Sequence, residues 1–94
     1  MKKLVREKLN TAYNTMISDI DRAEGLLLCG CTTLFRFNLK AFDAYKMYSE
    51  ELRWVWENGD ITEDEYFRFA EKAMDAYNKR QRAALTAWKK AMHR

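Results

Sequence analysis

Apolar positions in the first part of the chain fall at Val5, Leu9, Ala12 and Tyr13, Met16, Ile20, Ala23 and Leu27, in alternating steps of three and four. At about 100° per residue only those intervals bring side chains back to one side, so the stretch reads as one face of a helix. Gly25 or Gly30 can end it by taking the left-handed conformation, and Thr32 or Thr33 can cap the next helix, leaving a turn over Leu28–Thr33. The second helix is expected from about Thr33 to Asn58. Leu34, Phe35, Phe37, Ala41 and Phe42, then Tyr45, Tyr48, Leu52, Val55 and Trp56, cover about half of its circumference and are read as core. Arg36, Lys40, Asp43, Glu50 and Glu51 lie opposite. Leu39, Met47 and Trp54 fall outside the apolar half, and Met47 and Trp54, seven residues apart, share one line along the helix.

Asn58-Gly59 then stops the helix, and Thr62 with Glu65 three residues later forms a capping box that starts the third. Ile61 before the cap and Tyr66 after it suit a hydrophobic staple, and Glu63, Asp64 and Glu65 favour the positive helix terminus. The segment Gly59-Asp60-Ile61-Thr62-Glu63-Asp64-Glu65-Tyr66 is similar to the Gly-x-Ile-Thr-x-x-Glu-Tyr/Phe turn of SHOCT-type short domains. That resemblance spans about a dozen residues, which helix capping alone explains, and carries no function with it. Beyond it, Phe67, Ala70, Met74, Tyr77, Gln81, Ala84, Trp88 and Ala91 repeat in threes and fours, with Leu85 and Met92 alongside. Phe69, Ala76, Ala83 and Ala87 form a second, smoother flank where another helix, or a second copy, can approach. Short turns between consecutive helices make them antiparallel. The expected fold is all-α, an up-down-up bundle or a helical hairpin with the third helix across it.

The chain has 94 residues, enough for a single domain over 1–94 without repeats or linkers. Pro 0 and Gly 3 leave few turn-formers, which argues against a β sandwich, a barrel or a βαβ unit. Arg6, Glu7 and Lys8 interrupt the basic start Met1-Lys2-Lys3 before an apolar export segment develops, and the longest apolar run is Leu26-Leu27-Leu28-Cys29. The expectation is a cytoplasmic protein without a membrane span. Cys29 and Cys31 are read as reduced thiols packed in an apolar turn; the only histidine, His93, is remote in sequence, so no metal site is expected.

Charge divides the chain unevenly. Residues 1–8 carry +3, residues 9–75 carry −6, and residues 76–94 carry +6, from Lys79, Arg80, Arg82, Lys89, Lys90 and Arg94. In an up-down-up bundle the basic N-terminus sits beside the acidic second turn, leaving the other pole strongly basic. Such a pole attracts an acidic protein or a nucleic-acid backbone, although lysine and arginine are also ordinary at a helix C-terminus.

Catalytic constellations are missing. His93 sits where a helix frays, no Glu-x-x-His or phosphate-binding glycine loop occurs, and Glu50-Glu51-Leu52-Arg53-Trp54 puts tryptophan where the Glu-Glu-x-x-Glu pattern of all-α nucleotide pyrophosphatases needs an acid. The chain is therefore read as a non-enzymatic protein–protein interaction module without cofactor. Its size and style suit an adaptor, regulator or inhibitor of the sort carried by phages and mobile elements. The candidate protein-binding residues are Leu39, Met47, Arg53 and Trp54, an aromatic ringed by polar groups being the composition of a binding hot spot. The alternative for Trp54 is burial, should the other helices wrap further around the second. Two further readings remain: a nucleic-acid-binding accessory protein using the basic face of the third helix, and a homo-oligomeric structural bundle.

Overall fold

The computed structural model describes residues 1–93, with three helices: α1 (Lys3–Leu28), α2 (Leu34–Glu57) and α3 (Glu63–Met92). Each packs on the other two, giving an antiparallel three-helix bundle of 51 × 19 × 18 Å. Among the described residues there is no strand, and no helix is long and apolar enough to cross a membrane.

Both turns are closed by glycine. After α1 the Gly30 N–H donates to the Leu27 carbonyl and the Cys31 N–H to Leu26; after α2 Gly59 donates to Trp56 and Asp60 to Val55. These are paired Schellman closures, which need a left-handed residue, and Gly30 and Gly59 stand at φ 79° and 77°. Gly25, the other candidate terminus, lies inside α1 with open space around the position of an added Cβ. The two glycines therefore predict opposite outcomes in thermal melts: Gly25→Ala gains about 0.5–1 kcal/mol, whereas Gly30→Ala loses about 1 kcal/mol or more. Equal signs would refute this assignment of roles.

The helix starts follow the caps. Thr33 Oγ1 accepts from the Arg36 N–H at 3.1 Å. At α3 the box is complete: the Glu65 N–H donates to Thr62 Oγ1 at 3.1 Å, and the Thr62 N–H donates to Glu65 Oε1 at 3.0 Å. That backbone bond holds the Glu65 carboxyl below the usual carboxylate range.

The core takes Leu9, Met16, Ile20, Ala23 and Leu27 from α1 and Phe37, Ala41, Ala44, Tyr48, Leu52 and Val55 from α2. From α3 it takes only Ala73 and Ala84 as fully buried residues, with Phe69, Tyr77 and Trp88 half-buried at the edges. Aromatic pairs close the seams: Tyr13 meets Tyr48 edge-on at 5.9 Å, Tyr45 stacks on Tyr77 at 4.9 Å, and Trp56 stacks on Tyr66 at 4.3 Å.

Several expected core positions are corrected. Phe35 and Phe42 are 71% and 48% exposed, and Phe67, Met74 and Ala91 also face solvent. Ala73, passed over by the pattern of large residues, is buried, while Phe69 and Ala76 pack against the core instead of forming an open flank. The inward face of α3 thus keeps Ala70, Tyr77, Ala84 and Trp88 of the expected stripe but is turned away from Phe67 and Met74 toward Ala73 and Ala76.

Burial pushes the Tyr48 phenol up to about 12, with Tyr13 nearby adding to the rise. The folded state then favours the neutral phenol. Its stabilisation is complete below the ordinary tyrosine value near pH 10 and is lost as pH rises from there toward 12, an effect of order 2 kcal/mol. Tyr77 is raised by the same cause. Tyr48→Phe is expected to flatten most of the alkaline fall in stability measured by urea melts between about pH 9 and 12; an unchanged slope would refute it.

Candidate functional site

Met47 and Trp54 project beside α1, at 67% and 54% exposure, so the tryptophan is not sealed in its own subunit. The Lys8 ammonium lies over the Trp54 ring, 4.3 Å from its centroid, and also pairs with Glu51 at 3.0 Å. One α1 lysine therefore bridges two α2 side chains and holds the indole against the helix pair.

Met47 borders three adjoining hollows along the α1–α2 seam. One continues past Asp19, Ala23, Lys40 and Ala44 to Leu26. The middle one is lined by Ala12, Thr15, Asp19 and Ala44, and the last by Lys8, Glu50, Glu51 and Trp54. Their volumes are about 250, 190 and 460 Å³ in that order, and all three lie open to solvent along the seam, unlike a cleft that encloses most of a small molecule. Together they make a groove, not a cavity. The α1 side runs from Lys8 to Leu26, about 27 Å at 1.5 Å per residue. Ala12, Ala23 and Ala44, the last two buried in the core, form its shallow floor between the two helices.

The four residues expected to act together are divided by the fold. Met47 and Trp54 belong to this groove. Leu39, also exposed, lies four residues after Phe35 and three before Phe42, on a ridge that turns away from α1. Arg53 continues that ridge, and its Nε donates to Glu57 Oε1 at 2.9 Å. The apolar pattern along the chain gives no signal for Lys8, Asp19 or Leu26 as groove residues. Helical periodicity reports which way a side chain faces, not which residue of another helix it meets.

The basic set is also divided. Lys79, Arg82, Lys89 and Lys90 are exposed on the second half of α3. Arg80 is half-buried, its Nε donating to Asp21 Oδ1 of α1 at 3.1 Å. Arg94 lies outside the described residues. Lys72, nearer the start of α3, sits 4.5 Å from the centroid of the Tyr13 ring.

Cys29 and Cys31 are free and exposed, which corrects the expectation of packed thiols. The Cys29 Sγ–H donates to the Leu26 carbonyl at 3.3 Å. The Cys31 thiol is pushed up by its hydrogen bond to Cys29 and by that group's charge, a shift away from a reactive thiolate. Among the described residues no group of three or more His, Cys, Asp or Glu side chains is placed to hold a metal ion.

The fold and groove define a small antiparallel three-helix bundle with an open seam between its first two helices. No protein-family model, curated protein or solved structure matches the chain.

Proposed function

We propose that this chain is a non-catalytic binding module that takes an amphipathic helix of a partner protein along the α1–α2 groove. The observation that carries this reading is the exposed Met47–Trp54 line beside an alanine-bearing groove about 27 Å long, with the indole held in place by Lys8. A groove of that length accepts about five helical turns. Methionine adapts to the shape of an incoming side chain, and a tryptophan already restrained loses less entropy on binding. The groove is lined by Lys8, Arg22 and Lys40 against Asp19, Asp43, Glu50 and Glu51, so the fitting helix carries both signs along its edges. A cytoplasmic setting, where Cys29 and Cys31 stay reduced, suits the two exposed thiols. The nucleic-acid reading has less behind it, because Arg80 is engaged by Asp21 and charge alone does not choose a nucleic acid over an acidic protein surface.

The test is a displayed library of amphipathic helical peptides selected against the intact chain, followed by titration of the enriched peptides into isotope-labelled protein. Shifts at Ala12, Asp19, Ala44, Met47 and Trp54 are expected. Failure of any peptide to enrich, or shifts confined to the outer side of α2 and α3, would overturn the reading.

A further inference from the structure

A second apolar surface lies on the opposite side of α2, away from α1. The α2–α3 seam is marked by Tyr45 on Tyr77 and by Gln81 Nε2 donating to Asn38 Oδ1 at 3.2 Å. Just beyond that seam Phe35 and Phe42 line α2, while Phe67, Met74, Leu85 and Met92 follow one line along α3, all exposed. Among the described residues, half of the exposed large apolar side chains thus gather on one face, and apolar surface concentrated in that way marks an interface.

The charge along the same helix pair indicates what covers it. Residues 34–46 and 76–93, which form one end of the α2–α3 pair, carry eight basic groups and one acidic group. Residues 47–75, which form the other end, carry nine acidic groups and three basic ones. The pair is therefore a long dipole, about +7 at one end and −6 at the other. α1 offsets it only on its own side, where Lys8 pairs with Glu51 and Asp21 with Arg80.

We propose that two copies of this chain associate antiparallel through the outer α2–α3 face. A two-fold axis in the plane of the face and across the helices lays each basic end on the other copy's acidic end, while a parallel arrangement stacks like charge on like. The apolar line fits the same operation. Phe67 and Leu85 stand nine residues on either side of Ala76, so an antiparallel copy centred there sets each Phe67 over the second copy's Leu85. The available area is also adequate. A face about 36 Å long, from the 24 residues of α2, and about 19 Å wide offers about 700 Å² per copy, close to the roughly 800 Å² per partner of a standard stable interface. This contact is independent of the α1–α2 groove.

Sedimentation of the intact chain across a concentration series, up to about 100 µM, tests it. A dimer is expected, weakened by added salt, with Phe42→Glu and Leu85→Glu each loosening it by about tenfold or more. Helicity should be kept, since both positions are exposed. Trp54→Ala, on the other face, should leave the dimer intact, which separates failure here from failure of the groove reading. In a Cys29→Ser, Cys31→Ser background, Phe67→Cys mixed with Leu85→Cys should give a crosslinked heterodimer under mild oxidation. A monomer throughout, a dimer indifferent to Phe42→Glu and Leu85→Glu, or Phe67→Cys crosslinking to itself in preference to Leu85→Cys would each overturn the proposal.

Discussion

Replacing Phe37 by alanine is expected to cost about 3–5 kcal/mol of folding free energy, the range found when a large aromatic is removed from a close-packed core. Phe37 has no exposed surface and is the largest of the fully buried side chains. The core it belongs to includes Ala41 and Ala44, which have no bulk to fill the void. For a domain of this length the loss corresponds to a fall of about 15 °C or more in melting temperature. Phe35, two residues earlier and 71% exposed, provides the contrast: Phe35→Ala should change stability by about 0.5 kcal/mol or less. Both are measured by circular dichroism melts at protein concentrations low enough to keep the chain monomeric. Similar shifts for the two variants would mean that α2 is rotated from the orientation described.

That contrast also marks where the sequence was informative. The three helices, their caps and the glycine closures depend on contacts between residues close in the chain, so Thr62 with Glu65 and Asn58-Gly59 could be read directly. The rotation of α3 could not. Counting large apolar residues favours Phe67 and Met74 as core, yet a bundle only 18–19 Å across brings its helix axes close, and Ala41, Ala44, Ala73 and Ala84 occupy the buried positions. Larger residues are then displaced to the edges, where Tyr45, Trp56, Tyr66 and Tyr77 stack and Phe42, Phe67 and Met74 remain uncovered. Met47 and Trp54 were legible because charged neighbours isolate them on the helix. Lys8 was not, since its meeting with Trp54 and Glu51 depends on the register of α1 against α2.

Trp54→Ala is expected to weaken binding of a groove-selected helix by about 30-fold, equivalent to the ~2 kcal/mol at which an interface residue counts as a hot spot. Folding should lose far less. The ring is more than half exposed, and its contact with Lys8 contributes about 0.5–1 kcal/mol at such a site. This separation between affinity and stability is what distinguishes a binding residue from a packing one. Trp54→Phe retains an aromatic face over which Lys8 can sit and should recover part of the affinity. Lys8→Ala keeps the indole but removes the cation that restrains it and the pairing with Glu51, so a smaller loss is expected than for Trp54→Ala. Calorimetric titration of one selected peptide into the four proteins, with melting curves alongside, yields the order wild type, Lys8→Ala or Trp54→Phe, then Trp54→Ala. Equal affinity across the series would remove Trp54 from the interface. A loss of affinity that merely follows a loss of melting temperature would reassign it to the fold, because an anchor on a preformed groove acts through the ligand it meets and not through the helices that carry it.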